Sequence, residues 1–172
     1  MLSTEERTDF DGAVAESWRL NREGRADEAL AILRDLVASF PHEPRAHFEY
    51  AGALDFQGRE AEAVVPYRRA QALGLGGDHL PRLYVQLGST LRNVGECEEA
   101  VRFLAEGRDR FPHHAALRAF HVLALTSAGR CPEAVAEALD LVLDSDAIAL
   151  DGYDRALREY AALLRAEETR IG

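Results

Sequence analysis

A glycine followed at its fourth and fifth successors by Glu-Ala occurs four times in this 172-residue chain: Gly24 with Glu28-Ala29, Gly58 with Glu62-Ala63, Gly95 with Glu99-Ala100 and Gly129 with Glu133-Ala134. The spacings are 34, 37 and 34 residues. A repeat of this period specifies supersecondary units that bury their apolar faces on one another, because no single unit can do so alone. The chain is therefore expected to form a helical solenoid. Its function has to be sought on the surface that the stack presents.

Each copy carries what two packed helices need. A leucine stands four residues before each glycine, at Leu20, Leu54, Leu91 and Leu125, and Leu30, Val64, Val101 or Val135 follows the small alanine. The glycine closes the first helix, where a left-handed residue is cheap only without a Cβ. The glutamate falls in the first turn of the next helix, where the macrodipole favours negative charge. Each unit reads helix, tight turn, helix.

On these residues, and on Phe40-Pro41-His42 and Phe111-Pro112-His113 closing the first and third units, the chain resembles tetratricopeptide repeat (TPR) proteins over residues 10–148. The resemblance implies an all-α, right-handed superhelical solenoid of four helix-turn-helix repeats at about 10–43, 44–77, 81–114 and 115–148, forming one domain over 1–172. Leu75 and Asp146 stand where the family's closing proline is expected, and Ala13 replaces a bulky residue of the first helix. The likeness extends, more loosely, to short stand-alone bacterial TPR proteins, which have been thought of as dimers.

Both ends carry capping signals. Ser3 with Glu6 forms a capping box, with Leu2 as a staple, for a first helix from Thr4 to about Glu23,. Asp151 is placed to cap a C-terminal helix ending near Arg170, whose stripe of Tyr153, Ala156, Leu157, Tyr160, Ala161 and Leu164 is expected to cover the last repeat,. The three extra residues of the second spacing fall in Gly74–His79, read as a surface loop, with Pro81 opening the next helix,. Pro132 suits a first turn, whereas Pro66 lies inside a helical pattern,.

A net charge of −10 argues against nucleic acid and against anionic membranes, both of which call for a basic footprint,. No apolar run reaches membrane-spanning length and the N-terminal stretch has no signal-peptide pattern, so a cytoplasmic location is expected,. All 20 basic residues are arginine. Cys97 and Cys131 occupy the same slot of adjacent repeats, about 10 Å apart by helix spacing, beyond disulfide reach, and are read as free, partly buried thiols. The six histidines form no metal-ligand pair on a confident helix, and no phosphate loop or nucleophile elbow occurs,. No catalytic residue, cofactor or metal is expected.

The resemblance places the ligand face on the first helix of each repeat. Carried over slot by slot, it comprises Asp11, Val14, Trp18 and Asn21; Arg45, Phe48, Gly52 and Asp55; Arg82, Val85, Ser89 and Arg92; and Ala116, Ala119, Leu123 and Thr126. The peptide-binding groove is expected at Val14, Trp18, Asn21, Arg45, Phe48, Asp55, Arg82, Val85, Ser89 and Arg92. Trp18 and Phe48 are anchors of the kind that dominate binding energy. Three arginines against two aspartates on this face suggest an acidic peptide,. Trp18 equally fits a core stripe with Phe10 and Val14, and the arginines fit a solvated face with pairs to Glu49 or Asp55,. The Lys/Asn carboxylate clamp of chaperone-tail binders is absent, since Val14, Trp18, Phe48 and Gly52 stand in its slots.

Two functions follow: a non-enzymatic scaffold that binds a partner's peptide segment, or a homodimer in which the groove or the C-terminal helix mediates self-association. Tyr153, Tyr160, Leu163 and Leu164 make that helix richer than a cap requires.

Overall fold

The computed structural model describes residues 3–145, 150 and 152–168. Among these the regular structure is entirely helical: α1 (Thr4–Arg22), α2 (Ala26–Ser39), α3 (Pro44–Phe56), α4 (Glu60–Ala72), α5 (His79–Asn93), α6 (Cys97–Arg110), α7 (Ala115–Ser127), α8 (Cys131–Leu143) and α9 (Asp154–Glu168). The chain forms two compact units, residues 1–90 and 91–172. In the first, α1 packs on α2, α2 on α3 and α3 on α4. In the second, α6, α7, α8 and α9 each pack on the next. The chain is an all-α helical-repeat solenoid.

The four recurring glycines all take positive φ, 79° at Gly24, 72° at Gly58, 90° at Gly95 and 77° at Gly129. They close the same C-cap each time. The glycine N–H donates to the carbonyl of Asn21, Asp55, Arg92 or Thr126, and the next residue's N–H donates to the carbonyl of Leu20, Leu54, Leu91 or Leu125, at 2.9 Å in all four. This is the Schellman arrangement, and it explains the leucine four residues before each glycine: its carbonyl ties the cap while its side chain, at most 3% exposed, enters the core. It also fixes Asn21, Asp55, Arg92 and Thr126 in one geometrical position, the last turn of a first helix.

The alanines of the phrase are buried, 0% exposed at Ala29, Ala63 and Ala100 and 4% at Ala134. Their large neighbours diverge: Leu30 and Val101 are buried, Val64 is half-buried and Val135 is exposed. The glutamates do more than answer the helix dipole. In three repeats the residue after the glycine is arginine, and its guanidinium meets the glutamate, with Arg25 Nε 2.6 Å from Glu28 Oε1, Arg59 Nε 2.7 Å from Glu62 Oε1, and Arg130 Nη2 2.6 Å from Glu133 Oε2.

Ser3 and Glu6 form the expected capping box, and α1 ends one residue before Glu23. Pro66 lies inside α4 and Pro132 in the first turn of α8. Helix α5 starts at His79, so His79 belongs to the helix and Pro81 to its first turn. Cys97 and Cys131 are free thiols, Cys97 half-buried and Cys131 exposed rather than partly buried. In α9, Ala161 is 1% exposed and Ala156, Leu157 and Leu164 are half-buried, but Tyr153 and Tyr160 are 69% and 60% exposed. Tyr153 precedes the helix, and Tyr160, although it lies on the helical stripe of Ala156, Leu157 and Leu164, is left exposed, so neither tyrosine is part of the covered face,. Leu2, Asp146, Asp151 and Arg170 lie outside the described residues. No described helix is long and apolar enough to cross a membrane.

Candidate functional site

In the first unit the expected slots of α1 and α3 meet around Gly52. A Cβ built there would lie 3.3 Å from Trp18 Cζ2, 3.5 Å from Trp18 Cη2 and 3.7 Å from the Tyr67 hydroxyl. The missing side chain of α3 is thus the space into which the indole of α1 and the phenol of α4 project. Trp18 Nε1 donates to Glu49 Oε2 at 2.7 Å. The indole also makes an edge contact with Phe56, ring centroids 6.0 Å apart. Trp18 is half-buried and Phe56 is 59% exposed, so this aromatic pair is held by packing and a hydrogen bond yet open to solvent. The packing accords with the core-stripe reading of Trp18 and leaves part of the indole exposed.

Charge on this face is redistributed by pairing. Glu49 is 4% exposed and accepts from Trp18 and, at 3.4 Å, from Arg45 Nε. Arg45 also binds Asp11 and lies over the Phe10 ring at 5.3 Å. Its charge is consumed within the chain. His79 Nε2 approaches Glu49 Oε1 at 3.9 Å, but burial, followed by Arg45, lowers the imidazole pKa; near neutral pH the contact is not an ion pair. Phe48 is 1% exposed, enclosed by Tyr67 and His79 rings at 6.0 and 5.6 Å with the Arg82 guanidinium 5.4 Å above it. It is core and gives a ligand no free face. The exposed aromatic of this face is instead Phe56, one helical turn beyond Gly52 on the same side of α3,.

Asp55 is the opposite case. It is half-buried, and its Oδ2 accepts from the Thr90 hydroxyl at 2.9 Å and the Tyr67 hydroxyl at 3.3 Å. Tyr67 also contacts Gln86 Oε1 at 3.3 Å, and Thr90 the Gln86 carbonyl at 2.8 Å. Each hydroxyl has one proton and two oxygens to serve, so Asp55 is only partly satisfied. Burial raises its pKa, the Thr90 and Tyr67 hydrogen bonds oppose this, and Glu60 adds to it. Burial, then Asp55, raises the Tyr67 pKa in turn. No described cation pairs with Asp55.

Of the remaining slots, Val14 and Asn21 are each 5% exposed. Gln57 Nε2 donates to both the Ala26 carbonyl and Asn21 Oδ1, at 3.2 and 2.7 Å, which fixes the Asn21 amide and leaves its buried Nδ2 without a partner. Val85 and Ser89 are half-buried, and Arg82 is exposed with no carboxylate partner among the described residues. In the second unit, Arg92 is half-buried with an unpartnered, buried Nε. Ala116 and Ala119 line a cavity of about 1070 Å³ with Arg118, Asp144 and Arg158, while Leu123 is 46% exposed. A second cavity, of about 400 Å³, is lined by Arg108, His121 and Glu137. Glu137 accepts from Arg108 and Arg118 at 3.2 Å each, a brace across α6, α7 and α8. Burial, with Arg108 beside it, lowers the His121 pKa. The described residues hold no group of three or more His, Cys, Asp or Glu placed to bind a metal.

Tyr67 and Thr90 are absent from any first-helix slot reasoning. Tyr67 belongs to a second helix and reaches this face only past Gly52, so the glycine inside a helix was the available signal.

A family model described as Tetratrico peptide repeat matches residues 44–164, and a second, Tetratricopeptide repeat, matches 20–65. The fold is shared with the crystal structure of YrrB, described as a TPR protein with an unusual peptide-binding site (17% identity, 88% of this chain and 80% of that one, TM-score 0.65). It is shared also with MamA residues 41 to the end from Desulfovibrio magneticus RS-1 (18%, 94% and 93%, 0.65) and with a MamA RS-1 double mutant (17%, 92% and 95%, 0.66). No curated protein matches the sequence significantly.

Proposed function

Since the chain belongs to the tetratricopeptide repeat family, we propose that it is a non-enzymatic scaffold that holds a peptide segment of a partner protein on the first-helix face of its repeats. The observation that carries this reading is the Trp18–Phe56 pair over Gly52: two large aromatics, one hydrogen-bonded to a buried carboxylate and the other more than half exposed. Rigid aromatic anchors concentrate binding energy because little side-chain freedom remains to be lost. YrrB, which shares the fold, is described as having a peptide-binding site. Arg82, exposed and without a carboxylate partner among the described residues, supplies a groove arginine of the first unit to meet an acidic residue. A reducing, cytoplasmic setting accords with two free thiols,.

The test is selection of a random-peptide display library against the full chain. Phe56→Ala and Arg82→Glu change exposed side chains, so helix content by circular dichroism should be retained while recovery of the selected peptides falls. Undiminished binding by both variants would refute the reading. Self-association is the second reading, favoured by Tyr153, Tyr160 and Leu163, which are 59–69% exposed at the C-terminal helix. Light scattering of the full chain and of a variant lacking residues 151–172 decides it; a monomeric full chain removes it.

A further inference from the structure

The first-helix slots of repeat four differ from those of the other three. Where the earlier repeats carry Asp11 and Val14, Arg45 and Phe48, and Arg82 and Val85, repeat four has Ala116 and Ala119. The Gly58 and Gly129 turns stand 71 residues apart, so Ala119 and Ala138 take the places of Phe48 and Tyr67, whose rings pack 6.0 Å apart in the first unit. Two aromatic rings are thereby exchanged for two methyl groups. Neighbours relax only partially around missing side chains, and the second unit keeps open space. A cavity of about 1070 Å³ lies between the first turns of α7 and the C-terminal end of α8, bounded by Ala116 and Ala119 on one side and Leu141, Val142 and Leu143 on the other.

That volume stands at the upper end of the roughly 300–1,000 Å³ found for ligand pockets, which are mostly apolar with a few placed polar groups. Ala116 is exposed and Val142 is 36% exposed, so this apolar surface faces solvent. The charges on the wall are unequally engaged. Arg118 is clamped, with Nε 3.2 Å from Glu137 Oε1 and Nη1 2.8 Å from Asp144 Oδ2. Arg158 of α9 is held loosely: Nη1 lies 3.8 Å from the other Asp144 oxygen, Nη2 donates to the Leu143 carbonyl at 3.4 Å, and the side chain is 55% exposed. An incoming carboxylate can take this guanidinium without displacing a short bond.

Resting on the scaffold reading above, we propose that the cavity over Ala116 and Ala119 anchors the partner peptide by a bulky apolar side chain, with Arg158 receiving an acidic residue beside it. The first unit cannot offer the same anchor point, because Phe48 and Tyr67 fill the equivalent place from within the chain.

The experiment uses pools of capped dodecapeptides with a fixed central pair, Phe-Glu, Ala-Glu, Phe-Lys or Ala-Lys, between randomised flanks, and reads binding to the full chain by fluorescence polarisation. The Phe-Glu pool should bind about tenfold tighter than Ala-Glu and about threefold tighter than Phe-Lys. Ala119→Phe restores the ring that repeat two holds in this slot and should bring the Phe-to-Ala ratio to about one, with helix content by circular dichroism intact. Ala116→Trp, at an exposed position of the same wall, is a second way to fill the space and should do the same. Arg158→Glu should reverse the preference for Glu over Lys and leave the Phe-to-Ala ratio as it was. Equal binding of Phe-Glu and Ala-Glu pools to the wild type, or an unchanged ratio in both filling variants, overturns the proposal while the scaffold reading stands, since the peptides then bind elsewhere on the chain; if no pool binds, both fall. A dimer in light scattering that Ala119→Phe dissociates would give the cavity to a second copy, and Phe-Glu binding seen only after Ile148→Ser would give it to residues 146–149 of the chain itself; either result also overturns the proposal.

Discussion

The bond from Trp18 Nε1 to Glu49 Oε2 links α1 to α3, and its contribution can be isolated. Glu49 is 4% exposed, so an oxygen that loses its donor is not rehydrated. Trp18→Phe keeps an aromatic ring but removes the N–H, and a charge-assisted bond of this kind contributes about 1.5–3 kcal/mol. Loss of part of the indole from the space over Gly52 adds about 1 kcal/mol of packing. At roughly 2–4 °C per kcal/mol for a chain of this size, the thermal midpoint should fall by about 5–16 °C. A double-mutant cycle with Glu49→Leu separates the terms. Leucine removes the acceptor and the buried charge together; the cost of leaving Arg45 with one carboxylate fewer appears in both Glu49→Leu backgrounds and cancels in the cycle,. In that background Trp18→Phe should lose only the packing term. The assay is thermal and urea denaturation followed by circular dichroism on wild type, both single variants and the double. A coupling energy above about 1 kcal/mol is expected; additivity within about 0.5 kcal/mol would refute the claim that this bond fastens the aromatic anchor.

Asp55 gives a prediction whose sign is unusual for a carboxylate. Its folded pKa is raised, chiefly by burial and further by Glu60, so the folded state binds its proton more tightly than the unfolded one, and this group's contribution to stability falls as pH rises through the folded pKa,. Asp55→Asn should therefore raise the melting temperature at pH 7 and lose that advantage as pH falls toward the ordinary carboxylate range; a lowered midpoint at pH 7 would contradict the assignment. Gly52→Leu should expel the Trp18 ring, since even a Cβ meets it at 3.3 Å, giving a red-shifted, more quenchable Trp fluorescence; an unchanged spectrum would place the indole elsewhere. Gly58→Ala should cost about 1–2 kcal/mol because φ is +72° although nothing lies within 4 Å of the added Cβ,, and a neutral result in urea denaturation would show that the cap can relax.

The repeat, the helix pairs and their caps were legible because they depend on single residues with one physical role. Gly24, Gly58, Gly95 and Gly129 need positive φ, the leucines four residues earlier fill the core while closing the cap, and the alanines permit close approach. The site was legible as a face but not in depth. Slot reasoning treats Phe48 and Trp18 alike, whereas Phe48 is covered by Tyr67, His79 and Arg82, residues from α4 and α5 that only packing brings together. Charge counting left two readings open for the same reason. Arg45 finds Asp11 34 residues away and Glu49 one turn away, and no periodicity reveals which side chain of a pair is already engaged.

That distinction decides how the charge of the face should be read. Counted from the sequence, the groove slots hold Arg45, Arg82 and Arg92 against Asp11 and Asp55, a positive excess. In the first unit, pairing takes out Arg45 together with Asp11 and Glu49, because two carboxylates already surround one guanidinium. On the proposed reading, a ligand there would meet Arg82 lying flat on the Phe48 ring and Asp55 bonded to Thr90, a residue about 12 Å along α5 from Arg82,. An extended peptide covers that distance in about four residues. A partner segment that satisfies both would carry an acidic and a basic residue at that separation, and a like-charged segment would leave one of the two uncompensated. If the proposed scaffold reading holds, specificity on this face rests on the spacing of opposite charges in the partner, a quantity that net charge alone does not encode.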